Sequence, residues 1–197
     1  MNKIERAYES IDRALMSGAN AMIHAWNWTT GETKAQLANK TITISTVAAG
    51  TAYFVFSPIC GFALTPIHIL CSHILQRKNT EIEDRELKAI KSRCLDSHVV
   101  KCKDIYKSQA PFTVGGGTGV VGLGCYENEI RENLGYALIG ASMILVGASE
   151  YMMRADNLPP RKNCVERGVD WLEEKVREYK AQPAVQPSFA YHQLTRF

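Results

Sequence analysis

The chain has 197 residues, 46% hydrophobic and 22% charged, with 23 basic and 20 acidic side chains for a net charge of +3. That length suits one domain or two, the low net charge with this apolar content excludes a solvated disordered chain, and the balance of signs excludes a dedicated nucleic-acid binder. Six cysteines are too few for a disulfide scaffold.

Residues 3–26 have the pattern of an amphipathic helix. Ile4, Tyr8, Ile11, Leu15, Gly18, Met22 and Trp26 recur at alternating spacings of four and three, a heptad-like stripe. The opposite face mixes Glu5, Arg6, Glu9, Asp12 and Arg13. It is poor in the basic residues of a helix lying on lipid, so the stripe is expected to meet another protein helix. The charged face, Asp12 included, is expected to be solvated. No cleavable signal peptide is expected, since residues 1–25 lack an apolar central run. Thr29 with Glu32 reads as a capping box opening a helix that runs into the next segment.

Thr41 to Gln76 contains no Asp, Glu, Lys or Arg. It is too long for one membrane span of about 20 residues and about right for two. Ser57-Pro58-Ile59-Cys60-Gly61 in its middle supplies turn chemistry, so the segment is predicted to be a hairpin of two short spans, about Ile42–Phe56 and Phe62–Leu75. Within residues 77–109, Thr80 and Glu83 form a second capping-box pattern, followed by a loose apolar face of Ile82, Leu87, Ile90 and Cys94. A helical loop between two hairpins is predicted there.

Ala110–Tyr126 and Asn133–Ser149 also lack charge and flank Glu127-Asn128-Glu129-Ile130-Arg131-Glu132. They are predicted to form a second hairpin with a polar tip. Gly115 and Gly119 stand at GxxxG spacing, and Thr118 with Gly122 extends the row, the pattern of close helix packing in lipid. Ala137 and Ala141 are the matching small residues on the partner span. Residues 154–180 hold a second amphipathic helix, with Val165, Val169, Leu172, Val176 and Tyr179 at the same four-three spacing. The two amphipathic helices are therefore expected to pack on each other, within the chain or between subunits. Residues 181–197, with Pro183 and Pro187, read as a flexible tail.

Charge asymmetry sets the expected orientation. Residues 1–40 carry five basic and four acidic side chains, 77–107 nine and six, and 154–197 eight and six, whereas 127–132 carry one and three. Hairpins entering from one side would place every basic segment on that side, with both termini in the cytoplasm. Trp26 and Trp28 before the first span, and Tyr151 and Arg154 after the last, suit the membrane interface.

Catalytic and ligand signatures are weak. Gly117-Thr118-Gly119-Val120-Val121-Gly122 matches GxGxxG, with Pro111–Val114 as the strand it would need. No carboxylate stands about 20 residues on, at Gly140–Ser142, so no dinucleotide cofactor is expected. Cys94, His98 and Cys102 could share a helix face, and His68, Cys71 and His73 lie near the end of the second span. Three ligands over two helical turns span about 12 Å, too far for one ion, and no CxxC or HxxxH pair is present, so no metal is expected. No Asp, Glu, Lys or Arg falls inside a span before Glu150, which leaves no evident proton or ion path.

The sequence thus predicts an all-α, polytopic membrane protein. Two hairpins provide four short spans in the cell membrane, accompanied by cytoplasmic amphipathic helices. The expected role is structural, scaffolding or assembly, without catalysis. Its partners would be the lipid bilayer and either a second copy or another membrane protein reached through the amphipathic helices. The competing readings are a small oligomeric transporter or channel, and a peripheral helical protein that inserts its hairpins conditionally.

Overall fold

The computed structural model describes residues 3–125 and 129–181, and every described element is helical. The six helices are α1 (Lys3–Thr30), α2 (Lys34–Phe56), α3 (Pro58–Ser92), α4 (Ser97–Gly124), α5 (Ile130–Arg154) and α6 (Cys164–Ala181). The tail from 182 onward and tip residues 126–128 lie outside the described residues.

Four helices form a row in the order α4, α5, α2, α3, running alternately up and down. The α2–α3 turn is short because its residues stop and restart a helix at once. Ser57 alone separates α2 from α3, and Pro58 occupies the first position of α3, where its missing N–H costs nothing. The predicted break at Ser57–Gly61 is real but one residue long. The predicted helical loop between the hairpins is absorbed into the flanking helices, since α3 continues to Ser92 and α4 begins at Ser97. Asp96 caps α4, its carboxylate accepting from the backbone N–H of His98 at 2.8 Å. Pro66 and Pro111 both lie inside helices, so the strand proposed at Pro111–Val114 is helical and the GxGxxG match sits mid-helix.

Two capping expectations are corrected. Thr29 lies inside α1, and Gly31, at a φ of +79°, ends that helix. The box is formed four residues later, where Thr33 and Gln36 cap α2 reciprocally. Thr80 sits in the middle of α3 and returns its hydroxyl to the carbonyl of Gln76. Its partner in the sequence pattern, Glu83, caps α2 from across the interface instead.

α5 is an inner helix of the row and presents two small-residue faces with heptad spacing. Gly140 packs on Gly117 of α4, Gly147 on Ala110 and Gly124 on Asn133 and Tyr136, while Gly135 and Ser142 meet Phe56 and Ser45 of α2, whose own buried row is Ala38, Ser45 and Ala52. A Cβ built on Gly117 would lie 2.6 Å from the carbonyl oxygen of Gly140, and the reverse substitution meets Gly117 at 2.6 Å. Backbone therefore touches backbone, and only glycine fits. The α2–α5 contact carries a buried hydroxyl pair, Ser45 Oγ to Ser142 Oγ at 2.8 Å.

Each end of the antiparallel α2–α5 pair is closed by a cation. Lys34, first residue of α2, donates to the carbonyls of Met153 and Ala155 at the end of α5. Arg131, in the first turn of α5, donates to the carbonyls of Val55 and Phe56 at the end of α2. A helix C-terminus leaves carbonyls unsatisfied and carries partial negative charge, so each cation completes the other helix.

Two helices, α3 and α5, are long and apolar enough to cross a membrane. The α5 window is 44% buried, but that of α3 is only 6% buried, with Ile59, Phe62, Ile67 and Leu70 bare. α2 and α4 are less apolar because threonines and glycines dilute their hydropathy, so the predicted four spans are supported directly for two.

α1 lies against α5 and α6 extends from the base of the row. The expected pairing of their apolar stripes does not occur within the chain. They meet only near Trp28 and Arg167, and Val165, Val169, Leu172, Val176 and Tyr179 are all exposed.

Candidate functional site

The densest polar constellation lies at the base of the row, the end where α2 begins and α5 finishes. Lys34 is fully buried, and its Nζ stands 2.7 Å from Glu86 on α3, 2.8 Å from the carbonyl of Ala155 and 3.3 Å from that of Met153. Lys103 of α4 pairs with the other oxygen of Glu86. One carboxylate thus joins α2, α3 and α4, while Lys34 adds α5. Burial pushes Lys34 below the usual lysine value, repulsion from Lys103 acts in the same direction, and Glu86 opposes both.

Glu83, one turn before Glu86 on α3, faces the start of α2. Its Oε2 accepts from the Thr33 hydroxyl at 2.7 Å and its Oε1 from the backbone N–H of Ala35 at 3.1 Å. A carboxylate at a helix N-terminus satisfies free N–H groups and opposes the positive end of the dipole. The layer next to it is held by neutral groups. The Tyr106 hydroxyl of α4 donates to Asn79 Oδ1 of α3 at 2.9 Å, and Asn79 donates to Asn39 of α2 at 3.3 Å. Burial raises the Tyr106 phenol well above its usual value, so it remains a donor.

A second latch fastens α1. Asp12 accepts from both terminal nitrogens of Arg154, at 2.8 and 2.9 Å, and from the Tyr151 hydroxyl at 2.9 Å. The guanidinium also stacks over the Tyr151 ring, 4.9 Å from its centroid. Hydrogen bonding to Arg154 holds the Asp12 carboxyl below the usual range against the opposing effect of burial, with Tyr151 contributing further lowering. Planar, bidentate pairing of this kind is the strong form of an ion pair. Asp12 is therefore not the solvated residue that its neighbours in sequence suggest.

The residues singled out from sequence are distributed as follows. Tyr151 is buried and Arg154 half-buried, both engaged by Asp12 rather than presented as free anchors. Trp26 donates its indole N–H to Glu32 at 2.9 Å and lies under Lys40, while Trp28 is exposed beneath the guanidinium of Arg167. Gly115, Gly119 and Gly122 face open space, where a Cβ would meet nothing within 4 Å. Ala137 is exposed and Ala141 half-buried. The α4–α5 contact inside the chain uses Gly117, Gly124, Gly140 and Gly147 instead. Their seven-residue spacing is present in the sequence beside the four-residue one.

Cys94 lies in the turn after α3, whereas His98 and Cys102 share α4 with 3.8 Å between ring nitrogen and sulfur. His68 bonds the Tyr53 hydroxyl at 3.2 Å, and Cys71 is exposed. Among the described residues, no group of three or more His, Cys, Asp or Glu side chains could hold a metal ion. The chemistry that the basal junction supports directly is mechanical. Two lysines and two glutamates balance in charge, and their contacts tie four helices at one level. No protein-family model matches the chain, and neither does any curated protein or solved structure.

Proposed function

We propose that the chain is an integral membrane protein of structural, scaffolding or assembly type, with both hairpins across the bilayer and the ionic base in the cytoplasm. The observation that carries this reading is α3. An 18-residue apolar window that leaves all but 6% of itself unburied has the character of a surface facing hydrocarbon, since water penalises such a patch. α2 joins α3 through one residue and runs antiparallel to it, so a bilayer containing α3 also contains α2. α4 and α5 are antiparallel in the same row and share the same levels. The basic segment 77–107, the end of α3 and the start of α4, lies at the basal end, which favours the cytoplasmic side.

The basal junction supports a positional role. Each ionic member has a partner within the fold, and the junction joins helices from both hairpins. Alkaline carbonate extraction of membranes expressing the chain tests the first part. The protein is expected to stay with the sedimented bilayer, and release into the supernatant would overturn the reading.

A further inference from the structure

We propose that α1 is an interfacial helix, lying in the plane of the membrane with Ile11, Leu15, Gly18 and Met22 dipped into the acyl chains of the cytoplasmic leaflet. The proposal rests on the membrane reading above and adds a surface, its occupant and an orientation.

Three faces of α1 make three different contacts. Asp12, Ala19 and Ile23 hold the helix against the row, Asp12 through Arg154 and Tyr151, and the other two by burial. About 100° to one side stands the apolar stripe, with Ile11, Leu15 and Met22 all exposed. On the side opposite the stripe lie Arg13, Asn20 and His24. Asn20 accepts from the backbone N–H of Asp156, which is beyond the basal end of α5.

The stripe points the other way, up the helices of the row. Leu15, Gly18 and Met22 border an apolar groove of about 300 Å³ against Val114 of α4 and Ile144 and Ala148 of α5. Ile144 precedes Arg154 by ten residues, which is about 15 Å up the helix from its basal end. The polar face of α1 therefore looks past the base, while the apolar face looks along the charge-free stretches of α4 and α5. A helix set across the bundle with that polarity has its stripe where hydrocarbon begins.

The occupant follows from continuity. The groove opens from α1 onto helix surfaces that face lipid in the proposed topology, and no charged side chain lines it. Acyl chains fill such a groove without a partner of matching shape. The mixed charges that argued against lipid from sequence alone lie elsewhere: Asp12 is consumed by Arg154, and Arg13 with its neighbours faces water.

Site-directed spin labels test this in the full chain, with native cysteines replaced by alanine and the protein in phosphatidylcholine–phosphatidylglycerol vesicles. Labels at Leu15→Cys and Met22→Cys replace exposed residues and should be oxygen-accessible, with collision rates toward a water-soluble nickel chelate several-fold below those at Arg13→Cys and His24→Cys. Leu70→Cys on α3 reports on the membrane reading itself. If position 70 is shielded from nickel while 15 and 22 are not, the interfacial placement fails and the membrane reading stands. If position 70 is also open to nickel, both fail. If 15 and 22 are closed to oxygen and nickel alike and show spin–spin broadening, a second copy covers the stripe and the proposal is overturned.

Discussion

At the scale of single residues, buried charge and bare charge are to be distinguished. Lys34 is fully buried between Glu86 and two carbonyls. Lys34→Met should cost about 3 kcal/mol, the lower end for breaking a buried pair, because Lys103 still accompanies Glu86. Lys40→Met, in an exposed pair with Glu32, should change stability by no more than about 1 kcal/mol. Denaturant unfolding in micelles compares them, and equal losses would show that burial at the base is not the reason for the pairing. For Asp12 the sign of the pH effect follows from its lowered carboxyl. Between its latched value and 3.8, the latched form binds fewer protons than the open form, so the latch is fully present above 3.8 and weakens as pH falls through the latched value. Asp12→Asn should loosen α1 at neutral pH and remove this acid dependence, read as faster amide exchange over residues 13–25. Unchanged exchange would show that the ion pair does not hold α1.

At the scale of helix pairs, glycine position decides. Gly117→Ala places a methyl 2.6 Å from the Gly140 carbonyl oxygen and must push α4 from α5, with an expected loss of about 1–3 kcal/mol. Gly119→Ala meets open space and should be neutral or gain up to about 1 kcal/mol from helix propensity. Unfolding midpoints of the two variants should therefore move in different directions or by clearly different amounts. Equal destabilisation would mean that the outer face of α4 is itself packed, against a second copy. The sequence contains both the four-residue and the seven-residue periods of small side chains. Nothing local distinguishes them, because which face is inner depends on where α5 lies.

At the scale of the whole molecule, the arrangement is one-sided. α3 leaves its apolar window bare at one end of the row, α1 crosses the base, and α6 projects with its stripe uncovered among the described residues. The proposed orientation predicts that, in a cysteine-free background in intact cells, Arg85→Cys is shielded from an impermeant thiol reagent and Glu129→Cys reacts. The reverse labelling would invert the topology, and labelling of neither would place position 129 out of reach of the outer face.

The sequence by itself determined the helical class, the break at Ser57–Pro58 and the charge-free segments, because these depend on local chemistry. Proline and serine break a helix wherever they meet at residues 57–58, and an uncharged run is visible without knowing its neighbours. It also contains the Thr33–Gln36 box, but the sequence pattern points to Thr29–Glu32, and the end of α1 at Gly31 decides for Thr33. Only the tertiary structure decided what each polar group was for. Glu83 reads as a cap for its own helix and instead caps α2, 48 residues away in sequence from Ala35. Asp12 reads as solvated and is paired with Arg154, 142 residues on. Ion pairs and close glycine contacts are two-body terms whose partners lie far apart in the chain, so their energies exist only once the helices are placed.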